Sequence, residues 1–245
     1  MDDWSIRLRR AVAQQLESLQ AAGVAQLPLH PETPRQAPPG ETVANAATPT
    51  APSPGTTSAT ARTSPEAPEA PNTKGTGRSV TIAQATTLLG ELEQEVAGCQ
   101  RCEELACTRT QTVFGVGPAD PRLCFFGEAP GFDEDKQGEP FVGAAGQLLT
   151  DIIQKGMKLR REDVYILNVL KCRPPGNRNP KPDEIDNCRE YFLRQLSILQ
   201  PEFICCLCAF AARTLLDTED SVGRLRGRFH RFQHGPVDAQ VVVTY

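Results

Sequence analysis

Two short apolar runs, Leu123-Cys124-Phe125-Phe126 and Val164 to Leu167, set what this chain can fold into. Each is too short for a helix, and each passes at once into turn chemistry. The first runs into Gly127-Glu128-Ala129-Pro130-Gly131, the second into Asn168-Val169-Leu170-Lys171-Cys172-Arg173-Pro174-Pro175. Apolar runs of this length, bounded by turn signals, read as strands buried on both faces. Helices follow them. Strand 123–126 precedes a helix near 144–155. Strand 164–168 precedes a helix near 183–199, opened by Pro182-Asp183-Glu184 with acidic residues in its first turn. Strand 203–207 precedes a helix near 209–216, and Val241-Val242-Val243 is a last strand. Strands alternating with helices give an α/β fold with a parallel sheet covered on both faces. Ligands bind such sheets at the carboxyl ends of the strands. The distinctive loops of this chain all leave from that edge.

The domain begins near Ser79. Ile82, Ala85, Leu88, Leu89, Leu92 and Val96 recur at helical spacing, and Gly98 stops that helix. Upstream, residues 24–78 read as a linker: eleven of the 21 prolines fall between Pro28 and Pro71, with almost no large apolar residues. Such a composition cannot offset the entropy of ordering. Residues 1–23 carry Trp4, Leu8, Val12, Leu16 and Leu19 on one helical stripe, flanked by Arg7, Arg9 and Arg10. This stripe is expected to dock on the chain's own domain or on a protein partner. No apolar run reaches transmembrane length, and Met1-Asp2-Asp3-Trp4 does not resemble a signal peptide. The expectation is a cytoplasmic monomer. A net charge of -4 gives no global signal for nucleic acid, so local basic clusters must carry that reading.

Nine cysteines in a reducing compartment argue for metal, catalysis or core packing over disulfides. Cys99 and Cys102 form a C-x2-C pair, Cys172 lies on the loop after the second strand, and Cys188 follows in the next helix. Four thiolates of this kind hold zinc or an iron–sulfur cluster. One close pair with two remote singles fits a cluster that pins the N-terminal helix to the 172–188 loop. Cys124, Cys205, Cys206 and Cys208 lie in or beside apolar strands and read as buried thiols. Cys107 is a spare thiol or a further ligand.

Gly127 and Gly131 bracket a turn in which Glu128 and Ala129 keep their N–H groups, able to face a carbonyl or an anion. Phe141 lies in Gly138-Glu139-Pro140-Phe141-Val142-Gly143, a loop too glycine-rich for a core strand, where a ring either stacks on a ligand or packs beneath the loop. Asn168 ends a buried strand, and its amide matches the carbonyl and N–H edge of a pyrimidine. Together the three give a pocket of backbone donors, a stacking ring and an amide reader.

These motifs, with Gly-x-Pro-Phe-Val-Gly-x-Ala-Gly-x-Leu-Leu and Asn-Val-Leu-Lys-Cys-Arg-Pro-Pro-x-Asn-Arg-x-Pro, resemble the family-4, iron–sulfur branch of the uracil-DNA glycosylases over roughly residues 81–245. The resemblance implies a three-layer α/β/α sandwich with a four-stranded parallel sheet. It implies a [4Fe–4S] cluster on Cys99, Cys102, Cys172 and Cys188. It implies uracil-containing DNA as the partner, with Phe141 stacking on a flipped uracil, Asn168 reading its edge and the backbone of Gly127, Glu128 and Ala129 completing the pocket; Asn168 and Glu128 are the candidate catalytic residues. Arg173, Arg178, Arg224, Arg226 and Arg228 would meet phosphates, helped by Lys171 and Arg231. Ala129 stands where another branch of the superfamily has a water-orienting Asp. Glu128 or the acidic run Asp133-Glu134-Asp135 is then the candidate for water. The family's His-Pro-x-x-Leu-Leu-Arg motif would begin where this chain stops, at Val243-Thr244-Tyr245. The expectation is a domain truncated at its C-terminus, or a protein without that group. Rival readings are a non-catalytic iron–sulfur module that binds uracil-DNA or single strands, and a redox-sensing iron–sulfur protein.

Overall fold

A computed structural model of the chain describes residues 80–244. The N-terminal helix and the linker expected over residues 1–78 lie outside the described residues. In chain order the elements are α1 (Ile82–Ala97), α2 (Glu103–Thr108), β1 (Leu123–Gly127), α3 (Phe132–Gln137), α4 (Ala144–Asp151), β2 (Tyr165–Asn168), α5 (Pro182–Leu199), β3 (Phe203–Cys206), α6 (Ala209–Leu216), α7 (Val222–Leu225), β4 (Phe229–His234) and β5 (Val237–Val243).

The sheet runs β2-β1-β3-β5-β4. Its first four strands are parallel, as the strand–helix alternation requires. The structure adds a fifth strand, β4, antiparallel to β5. These two are joined by the turn Gly235-Pro236, with Gly235 at φ 52, the tight connection that only antiparallel neighbours use. β4 lies at the sheet edge and most of its side chains are exposed. An apolar-run criterion therefore passes over it.

Alternation along β1 divides the core. Cys124 and Phe126 enter a large cluster with Leu92, Val96, Phe192 and Leu196, beneath α1, α5 and α6. The Phe126 and Phe192 rings meet at 5.3 Å. Leu123 and Phe125 face the other way, onto Leu149, Ile153, Ile166 and Phe203 beneath α4. The result is a three-layer sandwich. α1 starts at Thr81, whose Oγ1 accepts from the Gln84 N–H at 3.3 Å while Gln84 Oε1 accepts from the Thr81 N–H at 2.9 Å, a reciprocal cap that satisfies two otherwise unpaired donors. The segment 113–116 shields the outer edge of β2: Val116 and Ile166 exchange hydrogen bonds at 3.0 and 2.8 Å. β1 sits where the chain leaves the β2 side of the sheet for the β3 side, which is the switch point at which an open sheet forms a crevice.

Candidate active site at the ends of the first two strands

Parallel register sets Gly127 beside Asn168 at the carboxyl ends of β1 and β2. The pairing continues past both strands, with Val169 N–H donating to Gly127 O and Leu170 N–H to Glu128 O, each at 3.0 Å. Gly127 must be bare. A Cβ there would collide with Asn168 Oδ1 and lie 2.6 Å from Phe141 Cζ. The Asn168 amide and the Phe141 ring thus converge over one glycine. Asn168 is 2 % exposed, and among the described residues its Oδ1 has no hydrogen-bond partner. A buried acceptor without a donor is unfavourable by about 1–3 kcal/mol, so this oxygen is placed for a donor that the described residues do not supply.

Two devices hold Phe141. Its φ of 55 is left-handed, and its carbonyl lies so close to Gly146 of α4 that a side chain there would overlap it. The Arg161 guanidinium donates to the carbonyls of Pro140 and Phe141 at 2.9 and 3.0 Å. Glu134 ties this loop to the first turn. Its Oε1 accepts from the Val142 and Gly143 N–H groups at 3.0 and 2.9 Å, and its Oε2 from the Gly131 N–H at 3.1 Å. Asp135, also buried, accepts from the Thr110 N–H at 3.0 and 3.1 Å. Within the acidic run, then, Glu134 and Asp135 organise backbone, and Asp133 stays exposed. The roles of Glu134 and Arg161 were not visible from sequence, because their partners are backbone groups of other loops.

Glu128 leaves β1 on the opposite flank. It is half-buried at the β1–β3 crevice, and burial raises its carboxyl pKa, opposed by a hydrogen bond from the Cys208 thiol. Cys208 caps α6, its Sγ accepting from the Ala211 N–H at 3.4 Å. Sequence reading placed this thiol only in the core. Among the described residues, the Glu128 and Ala129 N–H groups have no protein acceptor.

The four cysteines expected as ligands come together. Cys172 feels the charge of Cys99 and Cys102, and Cys188 that of Cys172 and Cys102. Each sulfur meets a donor. Cys172 accepts from Arg109 Nη1 at 3.1 Å and Cys102 from Asn187 Nδ2 at 3.4 Å. Cys99 accepts from the Arg101 N–H at 3.5 Å and from Tyr191, and Cys188 from the Lys171 backbone. Burial raises the thiol pKa of Cys102 and Cys172, and pushes Cys188 up to about 12. Among the described residues no three His, Cys, Asp or Glu side chains are set to hold a single metal ion. Cys107 is exposed on α2.

The expected phosphate cations divide. Lys171 is corrected outright. It is 1 % exposed, and its Nζ donates to Phe114 O at 3.1 Å and Asn168 O at 2.9 Å, so it braces the strand end from inside. Burial pulls its pKa down to about 7. Arg178 is neutralised by Glu184 at 2.6 Å and Glu104 at 2.9 Å. Arg231 pairs with Asp238 at 2.6 Å. Arg224 is exposed beside Asp220 at 3.3 Å, Arg226 is half-buried and Arg228 exposed. Phe229 pairs with Val242, so Arg224, Arg226 and Arg228 reach the same sheet edge as the pocket. β4, which follows them, lies three strand spacings from β1, about 14 Å. Arg173 stays near the pocket, donating to Asn177 Oδ1 at 2.7 Å.

Comparison with known proteins places these features in a family. Residues 114–245 match the Uracil DNA glycosylase superfamily. The chain is 44 % identical over 161 residues to the type-4 uracil-DNA glycosylase of Archaeoglobus fulgidus, covering 64 % of this chain and 80 % of that protein. It is 44 % identical over 141 residues to the type-4 enzyme of Thermotoga maritima, covering 57 % and 72 %. A type-5 uracil-DNA glycosylase of Thermus thermophilus is 28 % identical over 171 residues, covering 64 % and 76 %.

Proposed function

Because the chain belongs to the uracil-DNA glycosylase superfamily, in its type-4 branch, we propose that it removes uracil from DNA by hydrolysing the N-glycosidic bond. Water adds to the sugar carbon, free uracil leaves, and an abasic site remains. The observation that carries the reading is the orphaned Asn168 Oδ1, buried against the Phe141 ring over Gly127. Uracil's ring N–H satisfies that acceptor, and the amide N–H2 donates to the adjacent carbonyl. The Phe141 ring stacks on the base. Extrusion from the duplex costs roughly a few kcal/mol, least for a mismatched base. As the bond breaks, negative charge grows on the uracil carbonyl, and the Glu128 and Ala129 N–H groups are donors set in advance for it. Glu128 is the candidate for orienting water, its carboxyl half-buried at the crevice. Arg173, with Arg224, Arg226 and Arg228 farther along the edge, meets phosphates.

Cys99, Cys102, Cys172 and Cys188 would hold a [4Fe–4S] cluster. The donor chemistry fits: donors aimed at each sulfur favour thiolates, and a bound metal offsets the burial that otherwise keeps the thiols protonated. When bound, the cluster supplies a structural clamp joining the end of α1, the loop after β2 and α5. Residues 1–23 and 24–78 are read as a docking helix and a linker outside the catalytic domain, and the protein as a cytoplasmic monomer. No helix among the described residues is long and apolar enough to cross a membrane.

The test is release of free base from duplexes bearing uracil, thymine or cytosine opposite guanine. The full-length protein should release uracil alone. Tight binding of the uracil duplex with no base released would instead make it a binding module.

A further inference from the structure

We propose that Phe132, Lys136 and Arg173 form a second DNA subsite beside the base pocket: the Phe132 ring stacks on an exposed base next to the extruded nucleotide, and the two cations hold its phosphates. The identity of the ligand rests on the glycosylase reading; the platform itself rests on geometry. Phe132 opens α3, immediately after the turn that carries Gly127, Glu128 and Ala129, and is 48 % exposed. Exposure of one aromatic residue means little by itself. What surrounds this ring is specific. Lys136 Nζ lies 4.2 Å from the ring centroid and Arg173 Cζ 5.0 Å from it. Lys136 comes from α3, one turn on, and Arg173 from the loop that leaves β2 after Asn168. The cations therefore arrive from both strand ends that build the pocket.

Their charge is also unclaimed. Among the described residues neither Lys136 nor Arg173 pairs with a carboxylate, whereas Arg122, Arg161, Arg178 and Arg231 all do. Arg173 donates its Nε to Asn177, and its two Nη groups have no protein acceptor among the described residues. A ring gripped by two unneutralised cations is preorganised for a ligand that alternates flat bases with anionic phosphates. Each cation lies over the ring, where the aromatic quadrupole attracts it. Base stacking on such a ring is tolerant of sequence, which suits an enzyme that must find its base in any context. An intact duplex hides its base faces. The platform therefore takes a base exposed by extrusion of its neighbour, or a single strand.

The chain's single tryptophan, Trp4, makes the test direct. In the full-length protein, W4F with F132W leaves one indole at the platform. Its emission should be quenched at least twofold by a duplex carrying a non-cleavable uracil nucleotide, and the quench should weaken as salt is raised. F132A should raise KM for uracil-DNA about tenfold with kcat little changed. K136Q, on an exposed side chain that leaves the ring intact, should reduce the salt slope of binding by about one. Uracil release with unquenched emission at saturating DNA, or an F132A protein with unchanged KM, overturns the platform while leaving the glycosylase reading intact. Quenching by DNA in a W4F, F132W protein whose W4F parent releases no uracil keeps the platform and removes the glycosylase reading. Equal quenching by poly-glutamate overturns the assignment to nucleic acid.

Discussion

Arg161 grips the backbone of Phe141 from twenty positions away, donating to its carbonyl at 3.0 Å and to that of Pro140 at 2.9 Å. The same guanidinium donates to Thr150 Oγ1 of α4 at 3.1 Å. The stacking ring is therefore positioned through its main chain by a residue in the short turn before β2.

Removing that grip should loosen the pocket and spare the fold. A charged hydrogen bond contributes about 1.5–3 kcal/mol. R161A is expected to lower kcat/KM for uracil release by at least about tenfold. R161K, which keeps one donor, should recover part of the loss. Steady-state kinetics with circular dichroism on each variant check this. Full activity in R161A would show that Gly146 and the left-handed Phe141 suffice.

Gly127 is expected to tolerate nothing larger. A Cβ there would lie 2.6 Å from Phe141 Cζ and overlap the Asn168 amide. Either the ring or the amide must then leave the space a base would use. G127A should bind uracil-DNA weakly and lose most uracil release, with thermal stability changed far less than activity. Binding and single-turnover assays on one preparation separate the two effects.

Glu128 gives stability a pH signature. Burial raises its pKa above the ordinary 4.5, so the unfolded chain ionises at lower pH than the folded one. The stability Glu128 contributes is complete below that ordinary value and is lost as pH rises through the folded pKa. E128Q removes this term. The difference in denaturation midpoint, wild type minus E128Q, should fall with rising pH across that window and then level off. A difference that rises with pH would mean that the Cys208 hydrogen bond outweighs burial.

The thiols allow a colour test. C172S should yield protein without the brown absorbance of an iron–sulfur group, whereas C107S, on an exposed α2 position, should retain it. Iron content and the visible spectrum decide it. Stoichiometric zinc in wild-type protein would remove the cluster assignment.

Much of this was legible beforehand, for identifiable reasons. β1 and β2 are buried on both faces, so their composition is nearly unmixed. α1 and α5 each bury one stripe, so their spacing shows. Gly127 and Asn168 sit where strand chemistry gives way to turn chemistry, Phe141 sits in a glycine-rich loop, and the structure brings the three together. What stayed hidden depends on distant partners. Lys171 looks like a surface cation in sequence, yet two buried carbonyls draw it inward. Arg178 looks free until Glu104, 74 positions away, is folded beside it. Glu134 reads as one more acid in an acidic run, and only the fold reveals the three N–H groups it joins.

The antiparallel hairpin has a consequence for how the chain behaves among its own copies. Without β4, the strand Val237–Val243 would end the sheet, presenting an open row of backbone donors and acceptors along an apolar sequence. Such an edge recruits further strands and seeds aggregation. β4 covers that row with an exposed strand carrying His230, Arg231, Gln233 and His234, and the Arg231–Asp238 pair fixes charge across the hairpin. The polar alternation that conceals β4 from an apolar-run reading is what makes it a poor template for another molecule, so the feature hardest to read in the sequence keeps the Val241-Val242-Val243 strand from self-association.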